Sequence, residues 1–146
     1  MERIALAVVL ALVALAVAAL LQRRQRPATP VRTGYAVPDQ LDRADFDRPE
    51  APWLVAVFTS ATCDTCRGVW ERAQPLTSDA VVVQELEYQA ERDLHQRYAI
   101  EAVPSTLVVD ADGVVRKSFL GPVTATDLWA AVAEAREPGS TPDACH

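Results

Sequence analysis

Two cysteines stand three residues apart, Cys63 and Cys66, in the stretch FTSATCDTCRGVW (58–70) of this 146-residue chain. Two thiols at that spacing can cycle between dithiol and disulfide, supply half of a tetrahedral metal site, or merely lie close together. A metal site needs two more ligands. The Cys and His side chains left over are His95, Cys145 and His146, and an adjacent pair in a tail makes poor tetrahedral geometry. Three cysteines are also too few for a disulfide-built secreted scaffold. The redox reading is therefore preferred, with no metal and no cofactor expected.

The elements around the pair decide what it can do. WLVAVFTS (53–60) is a continuous apolar run rich in β-branched and aromatic residues, which suits a strand buried on both faces. Beyond it Val69, Trp70, Ala73 and Leu76 recur at helical spacing, so a helix is predicted from Cys63 to about Gln74, with Pro75 at its end. Cys63 then falls where unpaired backbone N–H groups and the positive end of a helix gather, and a thiolate is favoured there. Cys66 follows one turn later on the same face. Cys63 is thus the candidate nucleophile on a substrate disulfide, and Cys66 the group that resolves the mixed disulfide.

The remaining elements complete a sheet. QLDRADF (40–46) alternates as a short first strand, or as a strand running into a turn. AVVVQELEY (80–88) reads as a second buried strand, and ERDLHQRY (91–98) as a short helix. STLVVD (105–110) and VVRKSFL (114–120) flank Asp112-Gly113, a strong hairpin signal. A last helix is predicted over about 126–136, capped by Thr124 or Thr126, with Leu128, Trp129, Val132 and Ala135 as its apolar stripe. Strands alternating with helices and then a hairpin imply an α/β domain with a mixed central sheet and helices on both faces.

Over roughly residues 39–136 the chain resembles the thioredoxin-fold, or thioredoxin-like, proteins. Four features match in order: the apolar strand before CDTC, the helix after it, YAIEAVPST (98–106), and FLGP (119–122). The resemblance implies that the Val103–Pro104 bond is cis and lies against the two sulfurs. It also implies that Val103 and Pro104 form the substrate-binding edge, where exposed backbone pairs with a bound polypeptide. The short span from Cys66 to Pro104 leaves no room for the extra element usual in exported relatives that mature cytochromes, which favours a minimal domain.

The chain departs from that family at several positions. Ser60, Ala61 and Thr62 precede the first cysteine where thioredoxins carry tryptophan, and Asp64-Thr65 replaces Gly-Pro between the two. The charge of Asp64 opposes the helix effect and should raise the thiol pKa, which favours a reductant over a disulfide donor. Val57 stands where the family keeps a buried, proton-transferring aspartate. Glu85, on the neighbouring strand where a lysine is common, is the candidate proton relay, although a strand-end glutamate facing water or pairing with an arginine is the preferred reading.

Charge and hydropathy divide the chain. Residues 1–26 carry +3, while the remaining 120 carry ten basic against nineteen acidic groups. Such an acidic body argues against nucleic acid as partner. Ile4 to Leu21 is an unbroken run of Ala, Val, Leu and Ile, about 27 Å long as a helix and close to the hydrocarbon thickness of a bilayer. A retained single-pass anchor is favoured over a signal peptide cut after Ala18, because the segment before the run is not basic and the cut leaves ALLQRRQR. Arg23, Arg24 and Arg26 after the run favour a cytoplasmic domain at the cell membrane. The expected organisation is an anchor with a basic flank (1–26), a proline-containing linker (27–38), the thioredoxin-like domain (39–136) and a flexible tail (137–146).

The sequence therefore predicts a membrane-anchored thiol–disulfide oxidoreductase acting on protein disulfides, regenerated by an unidentified electron donor. The competing class is a redox-inactive, membrane-tethered binding or assembly module on the same fold. His95 is expected on a surface or helix face, Trp53, Trp70 and Trp129 in or near the core, and Cys145 as an incidental tail thiol.

Overall fold

The computed structural model describes residues 35–140. The candidate anchor, most of the linker, Cys145 and His146 lie outside the described residues. Among the described residues no helix is long and apolar enough to cross a membrane.

The run at 53–60 forms strand β1, Trp53–Thr59. Its residues Leu54 to Phe58 are all fully buried, and full burial of a Val, Leu or Phe side chain is worth about 1.5–3 kcal/mol. Both faces are covered because neighbouring side chains point opposite ways. Leu54, Ala56 and Phe58 pack with Leu41, Phe46, Leu86, Tyr98 and Leu107. Val55 and Val57 pack on the other face with Val69, Ala73, Leu128 and Val132.

After β1 come helix α1 (Cys66–Ala73), strand β2 (Val81–Glu87), helix α2 (Arg92–Arg97), strands β3 (Ser105–Val109) and β4 (Val115–Leu120), and helix α3 (Ala125–Arg136). The four strands lie in the order β2-β1-β3-β4. β1 runs parallel to β2 and antiparallel to β3, and β3 runs antiparallel to β4. This is the mixed sheet expected. The hydrophobic clusters put α1 and α3 on one face, and α2 with the segment before β1 on the other.

Two predicted elements differ. Residues 40–46 form a 3-10 turn, Arg43–Asp45, in place of a strand, and an isolated bridge, Gln40 to Val114, is the strand-like pairing that this segment makes. Side chains override the alternation here. Asp42 accepts the Ala44 N–H at 3.0 Å, and the Tyr98 hydroxyl accepts the Asp42 N–H at 3.0 Å and donates to Asp45. Burial first, and then that hydrogen bond, push the Tyr98 phenol up to about 12. The sheet consequently has four strands, and β2 is an edge strand, half-exposed through Val83–Glu85, where a buried strand was predicted.

His95 is buried, with only 2 % of its surface exposed, which overturns the surface placement. Its imidazole sits edge-on to the rings of Phe58 and Tyr88. Nε2 lies 2.8 Å from the Leu86 carbonyl oxygen and is assigned as the protonated nitrogen, since that oxygen can only accept. Trp129 also differs: it is 46 % exposed, and its indole N–H bonds the Arg72 carbonyl at 3.0 Å, linking α3 to α1. Ala131 takes its place in the buried stripe. Trp53 and Trp70 are partly buried against the core, as expected.

The hairpin at Asp112-Gly113 is present. Gly113 has φ +82°, and a Cβ there would lie 2.0 Å from the Leu41 carbonyl oxygen, so glycine is required twice over. The turn is tied by Asp110, which accepts the N–H groups of Asp112 and Val114 at 3.0 and 2.9 Å and pairs with Arg116 at 2.6 Å. Burial pushes this carboxyl up, but the Val114 N–H, the Arg116 guanidinium and the Asp112 N–H outweigh it and hold the group below the usual carboxylate range. A depressed folded-state pKa stabilises the fold above the ordinary carboxylate value and is lost as pH falls through the lowered one. Asp110→Asn should therefore lower the urea midpoint clearly at pH 7 and much less at pH 3. An equal loss at both pH values would contradict the assignment.

Candidate functional site

The site is built at the end of β1. Thr59 is its last residue, and the chain then makes two tight turns, with the Cys63 N–H on the Ser60 carbonyl at 3.0 Å and the Cys66 N–H on the Cys63 carbonyl at 3.3 Å. Cys63 and Cys66 are joined by a disulfide, with their Cα atoms 5.5 Å apart.

Helix α1 begins at Cys66 rather than at Cys63, with Thr65 as its N-cap. The small polar residues Asp64 and Thr65 turn the chain before helical hydrogen bonding starts, which delays the entry predicted from apolar spacing. Cys63 therefore sits just ahead of the helix, half-buried, while Cys66 lies inside the first turn with 3 % of its surface exposed. The N–H groups of Arg67 and Gly68 find no acceptor among the described residues. Together with the helix dipole they favour negative charge at this end when the disulfide opens. The Thr65 hydroxyl lies 3.7 Å from the Cys63 sulfur. Asp64 is exposed.

Both sulfur-bearing residues line a cleft of about 280 Å³ together with Thr59, Trp70, Glu85 and Glu87. Glu85 stands beside Val57 in the β1–β2 register. It is exposed, because β2 is an edge strand, and its Oε1 accepts the hydroxyl of Thr59 at 2.9 Å. Thr59 itself is 1 % exposed. The partner of Glu85 is thus a buried hydroxyl at the root of the redox loop rather than an arginine.

Glu87 was not singled out from sequence. Its Oε1 accepts the N–H of Ala61 at 3.0 Å, and its Oε2 accepts those of Gln89 and Ala90 at 2.8 and 3.1 Å. Desolvation pushes this carboxyl up, but the Ala61, Ala90 and Gln89 amides more than offset it and hold it below the usual range. Only its place two residues after Glu85 on the same strand face could have signalled it.

The Val103–Pro104 bond is cis. Phe58 pairs with Ser105, so Pro104 falls level with Thr59, at the end of the sheet from which the redox loop departs. Pro104 is buried, and its carbonyl accepts the Gly121 N–H at 2.8 Å. Val103 is partly buried, and its backbone N–H and C=O make no hydrogen bond among the described residues. The cleft gathers Cys63, Cys66 and Glu85; Val103 and Pro104 share that end of the sheet but do not line it. Among the described residues no group of three or more His, Cys, Asp or Glu could hold a metal ion.

No family model and no curated protein matches the chain. Solved structures do. One is a mutant thioredoxin from Halobacterium salinarum NRC-1, 19% identical, with a TM-score of 0.53 over 70% of this chain and 95% of that one. Another is mitochondrial thioredoxin 3 from Saccharomyces cerevisiae in its oxidized form, 17% identical, with a TM-score of 0.50 over 59% of this chain and 81% of that one. A third, described as a malarial protein, is 13% identical, with a TM-score of 0.52 over 57% of this chain and 96% of that one. Likeness at such low identity establishes the fold, which is the thioredoxin fold.

The unequal burial of the two cysteines has a direct readout. After reduction, iodoacetamide should alkylate Cys63 at least about tenfold faster than Cys66, since the thiolate must be reached from solvent. Equal rates, or faster labelling of Cys66, would reverse the assigned order of attack.

Proposed function

We propose that the chain is a thiol–disulfide oxidoreductase acting on protein disulfides. The observation that carries this reading is the Cys63–Cys66 disulfide at the end of a thioredoxin-fold sheet, with Cys63 half-buried and Cys66 buried. In the reduced protein the Cys63 thiolate attacks one sulfur of the client disulfide. The client's other sulfur leaves as a thiolate, and a mixed disulfide forms. The Cys66 thiolate then attacks the Cys63 sulfur, expels the second client thiolate and closes the Cys63–Cys66 bond. Two electrons have passed to the client, and an external dithiol or equivalent donor must return them. The free backbone of Val103 is the edge on which an extended client segment would pair.

The direction of transfer follows from Asp64. A carboxylate next to the nucleophile works against thiolate formation, and a less stabilised dithiol makes a stronger reductant. Glu85 would serve as proton relay, because Cys66 is nearly closed to solvent and the Glu85 carboxylate shares its cleft. The apolar run 4–21 would tether the domain to a membrane, with Arg23, Arg24 and Arg26 favouring the cytoplasmic side.

The full chain in mild detergent should reduce insulin with dithiothreitol as donor, and Cys63→Ser should abolish the activity. Cys66→Ala should trap clients as mixed disulfides through Cys63. Glu85→Gln should leave the fold intact and change the pH profile of the reaction. If the wild type and Cys63→Ser are equally inert, the redox-inactive binding module becomes the better reading. In intact cells, an impermeant thiol reagent should fail to label Cys63 if the domain is cytoplasmic, and labelling would place it outside.

A further inference from the structure

From the hydrogen bonding of the redox loop we infer that Glu87 is a positioning residue that sets the strength of the Cys63–Cys66 disulfide. The loop 60–65 is held mainly by itself: Cys63 N–H to Ser60 carbonyl, Thr62 N–H to Ser60 hydroxyl, and the Ser60 and Thr62 hydroxyls to each other. Apart from the first turn of α1, which continues the loop, one hydrogen bond among the described residues reaches it from another element. That bond runs from the Ala61 N–H to Glu87 Oε1 at 3.0 Å. Glu87 is itself fixed. It closes the β1–β2 ladder opposite Thr59, the next residue donates its N–H to the Thr59 carbonyl at 2.9 Å, and Oε2 holds the Gln89 and Ala90 amides.

One carboxylate therefore joins the redox loop to the turn after β2, two residues before the nucleophile. Bonds from backbone N–H groups to an ionised carboxylate are among the stronger hydrogen bonds of a protein. The other carboxylate of the cleft, Glu85, is bonded to a side-chain hydroxyl and makes no hydrogen bond to the loop backbone among the described residues.

The consequence is a coupling between the clamp and the redox state. With the disulfide open, only the clamp and local turns hold Cys63 close to Cys66. Releasing the clamp lets the reduced loop gain conformational freedom, which offsets part of the lost hydrogen bond. With the disulfide closed the loop cannot gain that freedom, so the full loss falls on the oxidised form. Removing Glu87 must then weaken the disulfide relative to the dithiol.

This deepens the redox reading of the same site, but it is measured on the cysteine couple itself. The full chain, in mild detergent, is equilibrated in reduced and oxidised glutathione, and the oxidised fraction is read by alkylation and mass. Glu87→Gln keeps the volume but offers a single carbonyl oxygen, with an amide group facing the remaining donors. It should lower the equilibrium constant for forming Cys63–Cys66 about five- to tenfold, a tenfold change being about 30 mV towards a more oxidising couple. Glu87→Ala should do at least as much. Unfolding by urea should show the oxidised form losing more stability than the reduced form. A constant within twofold of wild type, with both forms weakened equally, would reduce Glu87 to a structural residue and overturn the inference. Insulin reduction separates the two ideas: an inert wild type with a shifted Glu87→Gln constant sinks the enzyme alone, whereas an active wild type with an unshifted constant sinks the clamp alone.

Discussion

Strand β1 is paired on both edges and buried on both faces, and the loop that carries the Cys63–Cys66 disulfide hangs from its last residue. Five consecutive fully buried side chains, Leu54 to Phe58, divide alternately between two hydrophobic clusters. A strand so enclosed cannot shift its register by one residue without exchanging both cores. Thr59 is thereby a fixed point, and the turns that lead to Cys63 start from a defined place. The difference in exposure between the two sulfurs follows: one lies in the turn outside the packed layers, and the other in the first turn of a helix pressed against Val55 and Val57 through Val69 and Ala73.

Acidic side chains are used in a consistent way at loop junctions. Asp110 ties the hairpin at one end of the sheet, Glu87 ties the redox loop at the other, and Asp45 anchors the turn before β1 through Tyr98 and Arg97. Glu87 accepts from three backbone amides, and Asp110 divides between two backbone amides and the Arg116 guanidinium; the Arg97–Asp45 pair is largely exposed on the arginine side. Exposed ion pairs contribute little, whereas a carboxylate that satisfies amides which would otherwise lack a partner offsets a larger penalty. An acidic composition therefore does not imply a loosely charged surface here, since several carboxylates specify loop geometry.

The edge position of β2 shapes the chemistry available near the sulfurs. Were another strand paired beside it, Glu85 would lie deeper and its charge would be costly. At an edge it reaches solvent while its Oε1 stays bonded to the buried Thr59 hydroxyl. The cleft thus contains one carboxylate committed to backbone and one open to water, beside a sulfur with almost no solvent contact of its own.

Local pattern alone determined much of this. An eight-residue apolar run, a C-x-x-C at its end, a valine-rich second run and an Asp-Gly turn each carry their information within a few neighbouring residues, so β1, β2, the hairpin, the last helix and the cysteine pair were all legible. The cis bond at Pro104 was legible only through family resemblance. Other features depended on partners far along the chain. Asp42 and Asp45 formed a turn because Tyr98 came to meet them, and His95 was drawn inside by the Leu86 carbonyl and two rings. Trp129 stayed partly outside because its indole found the Arg72 carbonyl. The role of Glu87 arose only when β2 lay beside β1 and brought its carboxylate to Ala61. Periodicity reports which side chains prefer burial, but hydrogen bonds between residues distant in sequence are chosen by the packed layers, and those bonds settled the details of this site.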